Sequence, residues 1–217
     1  MFAVGHLSLA YLLGKASSKL LKVNPNIPTL LALSILPDID LAIGSLLGIS
    51  IHHGPTHSLI FALLIFAPLS IFYGKRVVPY FLAYVSHFLI GDFFIGGQLQ
   101  LFWPLSSNTF GFHDIGFMYI GLTDNLNLVA ELSMLALTLI VMAKTGDYKI
   151  FFKNDKTNLL LLIPIGTLLL STFTNYPFTL PLFLAFPIMG IPQLFLLTLF
   201  SIPILIFLYT AIKKVFT

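Results

Sequence analysis

The sequence predicts an all-α membrane protein: a polytopic bundle of about six transmembrane helices, with a short N-terminal helix and a kinked or re-entrant C-terminal segment. Three observations predict it. Apolar residues make up 58% of the 217 and charged residues only 9%, where a soluble domain carries roughly 25% charged residues. A chain this poor in charge cannot coat a water-facing surface, so lipid is the solvent for most of its exterior. Apolar stretches of near-spanning length also recur along the chain, and short basic runs punctuate them.

The elements follow in order. The first apolar stretch, Met1 to about Gly14, falls short of the roughly 20 residues that a span needs at about 1.5 Å each, so a short, partly inserted helix is expected. The second runs from Ile27 to about Ile51 and contains Asp38 and Asp40. The third runs from Thr56 to Tyr73, and the fourth from Val77 to about Gly97 with His87 and Asp92 inside it. A polar-flecked segment, Gln98 to Asn127, comes next. The fifth and sixth stretches are about Leu128 to Ala143 and Asn158 to Phe173. The last, Phe178 to Ile212, is too long for one simple span, and Pro181, Pro187, Pro192 and Pro203 are expected to break it. The whole reads as a single membrane domain, residues 1–217, with a chemical half (1–115) and a helical support half (116–217).

The basic runs are Lys15 to Lys22, Lys75 with Arg76, Lys144 to Lys156, and Lys213 with Lys214. Each pair after the first is separated by two stretches, so all four can share one face. The positive-inside rule makes that face cytoplasmic and puts the Ser50 to Pro55 turn and the Gln98 to Asn127 loop outside. Lysines placed this way account for the net charge of +3 as membrane anchors, not as a nucleic-acid patch, whose basic residues cluster on one folded face. Lys15, Lys19 and Lys22 follow the first apolar stretch, where a signal peptide carries its basic residues in front. That stretch is therefore read as mature protein in an inner or plasma membrane.

There is no cysteine, which excludes disulfides, iron–sulfur clusters and thiolate zinc sites. Any metal must be held by His, Asp or Glu. All six histidines, His6, His52, His53, His57, His87 and His113, lie in the first 113 residues, with Asp38, Asp40, Asp92 and Asp114 accompanying them. At the helical rise, His6 lies about 14 Å from Lys15, Asp38 about 15 Å from a helix start near Pro28, His87 about 16 Å from Arg76 and His57 about 24 Å from Tyr73. Four separate segments thus bring polar ligands to the midplane or the outer half. Each ionisable group there costs at least about 2.5–3.5 kcal/mol on insertion scales, and a divalent cation is the simplest compensator. Taken alone, Leu36-Pro-Asp-Ile-Asp40 reads as a helix break with an Asp cap. His52-His53-Gly54-Pro55-Thr56-His57-Ser58 places histidines on both sides of a tight bend, with Thr56 or Ser58 available to cap the next helix. His113 and Asp114 sit in the long loop, and Glu131 is the only glutamate. No Walker loop, Gly-x-Ser-x-Gly elbow, His-Glu-x-x-His or dinucleotide fingerprint is present.

Gly5-His6, Leu36-Pro-Asp-Ile-Asp40, His52-x-Gly-x-Thr-His57-Ser58, Ser86-His87 with a following Asp, and Trp103-Pro104 occur in that order. Over roughly residues 1–110 this pattern resembles the inner-membrane metal-dependent hydrolases of the LexA-binding type. The resemblance implies a metal site of His6, Asp38, Asp40, His52, His57, His87 and Asp92. It departs in two places. His53 stands where the family has Arg, and the family's His-x-x-x-Asp is here His87-x-x-x-x-Asp92. Five residues of regular helix turn about 500°, which points the two side chains about 140° apart. A π-bulge at Gly91, or a helix end before Asp92, is needed for the two to meet.

The expected function is a membrane-embedded hydrolase of phosphoester bonds in a lipid or other amphiphilic substrate, using one or two divalent ions, zinc foremost. Asp40 or Asp92 would serve as general base. His53, Thr56, Ser58 and His113 are weaker candidates for substrate contact. The alternatives are a cation transporter, since His and Asp on several helices also mark ion pathways, and a non-catalytic metal-binding protein. No nucleic-acid partner is expected.

Overall fold

The computed structural model describes residues 1–49, 51–173 and 180–216. The described residues are helical apart from loops and one isolated antiparallel bridge between Leu99 and Phe110. Ser50, the first residue of the predicted outer turn, and Phe178, the first of the predicted C-terminal stretch, lie outside them.

Helix α1 (Ala3–Leu21) is longer than expected and central. It does not stop at Gly14, because its polar end is satisfied within the fold. Ser17 and Ser18 donate back to the Gly14 and Lys15 carbonyls, and the Lys15 ammonium meets Asp147 at 2.8 Å. The helix ends at Lys22, whose left-handed φ of 54° lets the Val23 amide donate to the Ser18 carbonyl. Val4, Ala10 and Tyr11 are buried, and α1 packs against the helices Ile27–Ile35, Val78–Ser86 and Asn125–Thr145.

The second predicted stretch is broken. Asn26 caps α2 (Ile27–Ile35) by accepting from the Thr29 amide. Pro37 then tightens the chain into a 3-10 turn, Leu36–Asp38, before α3 (Ile39–Leu47) ends at Gly48 with φ of 65°. Ser58 caps α4 (Leu59–Tyr73). Gly74 (φ 55°) and a 3-10 turn lead into α5 (Val78–Ser86), which continues as a π-helix over His87–Asp92. α4 and α5 fold back on each other: the Phe66 ring lies 5.5 Å from that of Phe81 and 5.7 Å from that of Tyr84.

Helix α6 (Asn125–Thr145) is joined by two 3-10 turns to α7 (Leu162–Phe173). The C-terminal region is a short α8 (Leu182–Ala185) and a long α9 (Pro187–Phe216). A short piece before a final helix was expected, but Pro192 and Pro203 sit inside α9 without ending it. Four stretches among the described residues are long and apolar enough to cross a membrane: Leu59–Asp92, Asn125–Thr145, Lys156–Phe173 and Pro187–Lys214. The expected count of about six is not confirmed: Pro37 splits one predicted span, and Leu59–Asp92 holds both α4 and α5, which fold back on each other.

Polar contacts gather the basic runs at one end of the bundle. Lys15 pairs with Asp147, Asn26 Nδ2 donates to Thr157 Oγ, and Asn154 Nδ2 donates to Thr210 Oγ, one turn before Lys213. Lys22, Lys75 and Arg76 border a common groove. The histidine-bearing segments sit at the other ends of these helices.

Candidate metal centre

The centre forms where three backbone irregularities meet: the 3-10 turn at Asp38, the His52 to His57 bend and the π-helix. In the π-helix hydrogen bonds run from i+5 to i, as the Phe93 amide to the Phe88 carbonyl does. Residues five apart therefore stack on one face. Both His87 Nε2 and Asp92 Oδ2 consequently enter the same space, 3.2 Å apart.

Four donor atoms from three segments surround that space. His87 Nε2 lies 3.2 Å from Asp38 Oδ1. His57 Nε2 lies 3.8 Å from Asp38 Oδ1 and 3.6 Å from Asp92 Oδ2. His57 Nε2, His87 Nε2 and Asp92 Oδ2 are buried and make no hydrogen bond. Three orphaned acceptors or donors in one buried spot would be costly as they stand. A cation satisfies all of them at once. Buried His and Asp groups here can hold a metal ion: Asp38, His57 and His87 form one such group and His6, His87 and Asp92 another.

The outer faces of these histidines fix their tautomers. His87 Nδ1 is 2.6 Å from the Ser34 carbonyl. A carbonyl only accepts, so Nδ1 carries the proton and Nε2 offers its lone pair inward. His57 Nδ1 is 3.1 Å from Asp40 Oδ2, which orients it the same way. The other Asp40 oxygen meets His52 Nδ1 at 3.0 Å, and Thr56 Oγ donates to Oδ2 at 2.9 Å. Both Asp40 oxygens are thus occupied by neighbours. Although His52, Asp38 and Asp40 also lie close enough to share an ion, the contacts of Asp40 suit an orienting carboxylate better than a ligand. His6 plays the matching part behind Asp92: its Nε2 is 3.3 Å from Asp92 Oδ1, and its ring stacks on His87 at 3.8 Å. Gly91 makes room for that ring, since a Cβ there would lie 2.5 Å from His6 Cε1. Met1 N is also 3.2 Å from Asp92 Oδ1.

The centre opens on one side. The side chains of His57 and His87 are fully buried, whereas those of Asp38 and His52 are 18% and 27% exposed. The His53 ring packs against that of His52, with centroids 3.9 Å apart and the planes tilted by 36°, and His53 holds a left-handed φ of 64°. The Gln100 amide donates to its carbonyl, so the long loop braces this edge.

A family model described as YdjM inner membrane protein matches residues 1–176. The chain belongs to this family. The matched region holds the entire His/Asp cluster and ends before α9 begins, and membership supports a membrane location. No curated protein and no solved structure matches the chain.

Three residues stand elsewhere than expected, or do more. Ser58 is spent on structure: its Oγ caps α4 and donates to the Trp103 carbonyl at 2.7 Å. His113 pairs with its neighbour Asp114 at 3.2 Å and packs against Gly97 and Gly111, with no contact to the cluster among the described residues. Glu131 is fully buried, and its two oxygens accept from the Phe2 and Gly5 amides at 2.8 and 3.0 Å. It thereby caps the start of α1, the helix that carries His6. The only sequence signal for this role was a lone glutamate beside an apolar span.

Proposed function

We propose that the chain is a membrane-embedded, metal-dependent hydrolase acting on phosphoester bonds of an amphiphilic substrate, with zinc held by Asp38, His57, His87 and Asp92. The observation that carries the reading is the spacing of the four donors. Two ligands of a tetrahedral zinc, each at about 2.0–2.1 Å, sit about 3.3–3.4 Å apart, whereas neighbouring ligands of an octahedral ion at that length sit about 2.9 Å apart. The four His–Asp separations among these donors are 3.2, 3.2, 3.6 and 3.8 Å. The mixed imidazole and carboxylate donor set fits the same ion.

A bound zinc would supply Lewis acidity, acidifying water and polarising a phosphoryl oxygen. The protein's own part is orientation and proton handling. Asp40 and Asp92 were the expected bases, but Asp40 is enclosed by three partners and Asp92 is taken here as a ligand. His52 is the better candidate: Asp40 holds its Nδ1, and it sits on the open edge, an arrangement of base and orienter common to hydrolytic sites. Asp38, also at that edge, is the ligand best placed to shift as substrate enters. His53 and Thr56 border the same opening. With the basic runs taken as cytoplasmic, the opening faces the outer half of the membrane, which favours a lipid-like substrate.

One observation favours a second reading. Asp38, His57, His87 and Asp92 together would fill all four positions of a tetrahedron, as in structural zinc sites, so the ion would then only tie the Asp38 turn, the His57 turn and the π-helix together. The test is metal analysis of purified full-length wild type, His57→Ala and Asp38→Ala, with hydrolysis of phospholipid and isoprenoid phosphates by the same samples. The reading expects about one zinc per chain in wild type, loss in both variants, and turnover by wild type alone. Equal trace metal in all three samples overturns the site. Stoichiometric metal without turnover leaves the structural reading.

A further inference from the structure

The other end of the bundle carries a feature that the metal centre does not explain. A groove of about 790 Å³ opens between α2, α4 and the start of α5. That volume is within the usual range for small-molecule sites. Leu33, Ile65, Phe66 and Leu69 form its walls, and Lys22, Lys75 and Arg76 stand at its mouth. All three cations are exposed, no carboxylate lines the groove, and none of the ion pairs among the described residues involves them. Tyr73 and Tyr80 also border it, residues suited to the level of lipid headgroups.

We propose that this groove binds an anionic phospholipid, with an acyl chain along the apolar walls and the headgroup phosphate held by Lys22, Lys75 and Arg76. The two parts of the groove ask for the two parts of one molecule. Apolar walls between helices are filled by hydrocarbon in a bilayer. Three converging cations without acidic partners attract a negative headgroup, and basic pockets between transmembrane helices bind such lipids. A free anion would satisfy the mouth and leave the walls empty. A neutral lipid would fill the walls and leave the cations unanswered. The site is separate from the catalytic proposal and does not depend on it: α4 runs its full 15 residues between Ser58 near the metal centre and Tyr73 at the groove, about 22 Å.

The experiment titrates fluorescently labelled phosphatidylglycerol, and the same label on phosphatidylcholine, into full-length protein in neutral detergent. Wild type should bind phosphatidylglycerol tightly and phosphatidylcholine weakly. Each basic side chain near an anionic lipid contributes about fivefold, so Lys22→Gln/Lys75→Gln/Arg76→Gln should lose about a hundredfold. Lys144→Gln, which removes an exposed cation from the same end without touching the groove, should change little. Leu69→Trp, which fills the groove and keeps every charge, should also abolish binding, and inorganic phosphate should not displace the lipid. Helical circular dichroism confirms folding of each variant. Equal binding of both lipids, an unchanged triple variant, an unchanged Leu69→Trp, or displacement by phosphate overturns the proposal.

Discussion

Replacing Asp40 with Asn separates a carboxylate that orients ligands from one that is a ligand. Asp40 is buried and meets three donors, His52 Nδ1 at 3.0 Å, Thr56 Oγ at 2.9 Å and His57 Nδ1 at 3.1 Å. Asn keeps the size but only one acceptor oxygen, and its NH2 must face a donor on one side. The tautomer and tilt of His57 are then no longer held, although its Nε2 is still present. Loss of such an outer partner costs about 10–100-fold in metal affinity, or about 1.4–2.8 kcal/mol at 1.4 kcal/mol per decade. The assay strips purified full-length protein with a chelator and titrates zinc back against a chromophoric competitor. Asp40→Asn should retain one site, weakened by that factor, while His57→Ala should fail to compete at all. An Asp40→Asn protein that loses zinc as completely as His57→Ala would make Asp40 a ligand. One that binds like wild type would remove it from the centre altogether.

Three further outcomes follow from packing and charge within the bundle. Gly91→Ala puts a methyl group 2.5 Å from His6 Cε1 and 2.7 Å from Nδ1, overpacking worth about 1–3 kcal/mol. It should lower the thermal midpoint, while Gly166→Ala, with nothing within 4 Å, should not. Glu131→Gln turns one acceptor of the Phe2 and Gly5 amides into a donor and should cost about 1–3 kcal/mol in denaturant unfolding while zinc stoichiometry is retained. Asp147 gives the pH dependence: burial pushes its carboxyl up, but hydrogen bonds from Lys15, Tyr11 and Thr145 outweigh that and hold it below the ordinary value of 3.8. A depressed folded value stabilises above the unfolded one and is lost as pH falls through the folded one. Wild type should therefore exceed Asp147→Asn by about 1 kcal/mol at neutral pH, with the gap closing as pH drops below about 4.

Much of the centre was legible because lipid makes charge informative. His6, Asp38, His57 and His87 could be levelled by counting from the basic runs, and the fold gathers them with Asp92. What counting could not give was the division of labour between Asp38 and Asp40. Two residues apart, they point to different sides of the chain, and here they flank His57, Asp38 by Nε2 and Asp40 by Nδ1. Which face looks into the centre depends on the 3-10 turn at Pro37. The end of α1 was misjudged for a related reason. Lys15 marks a boundary only if its charge must reach water, and Asp147, far along the chain, answers it inside the protein. In the same way, Pro192 and Pro203 read as breaks locally, but the surrounding turns of α9 carry the helix through them.

The π-helix brings together a His and an Asp five residues apart, a spacing that a regular α-helix would turn away from each other. Four residues of α-helix bring a His and an Asp to within about 40° of each other, and five miss by about 140°. A π turn absorbs the extra residue, at the cost of a wider and less favourable backbone. Here the widened turn is filled. Gly91 leaves the space a Cβ would take, the His6 ring occupies it, and that ring both stacks on His87 and holds Asp92 Oδ1. His6 is delivered there by α1, whose first amides are held in turn by Glu131. The His87-to-Asp92 spacing, Gly91, His6 and Glu131 therefore act as one unit. A change at Gly91 or His6 should reach the donors through Asp92, whereas Glu131, which holds the first amides of α1, should act on stability first.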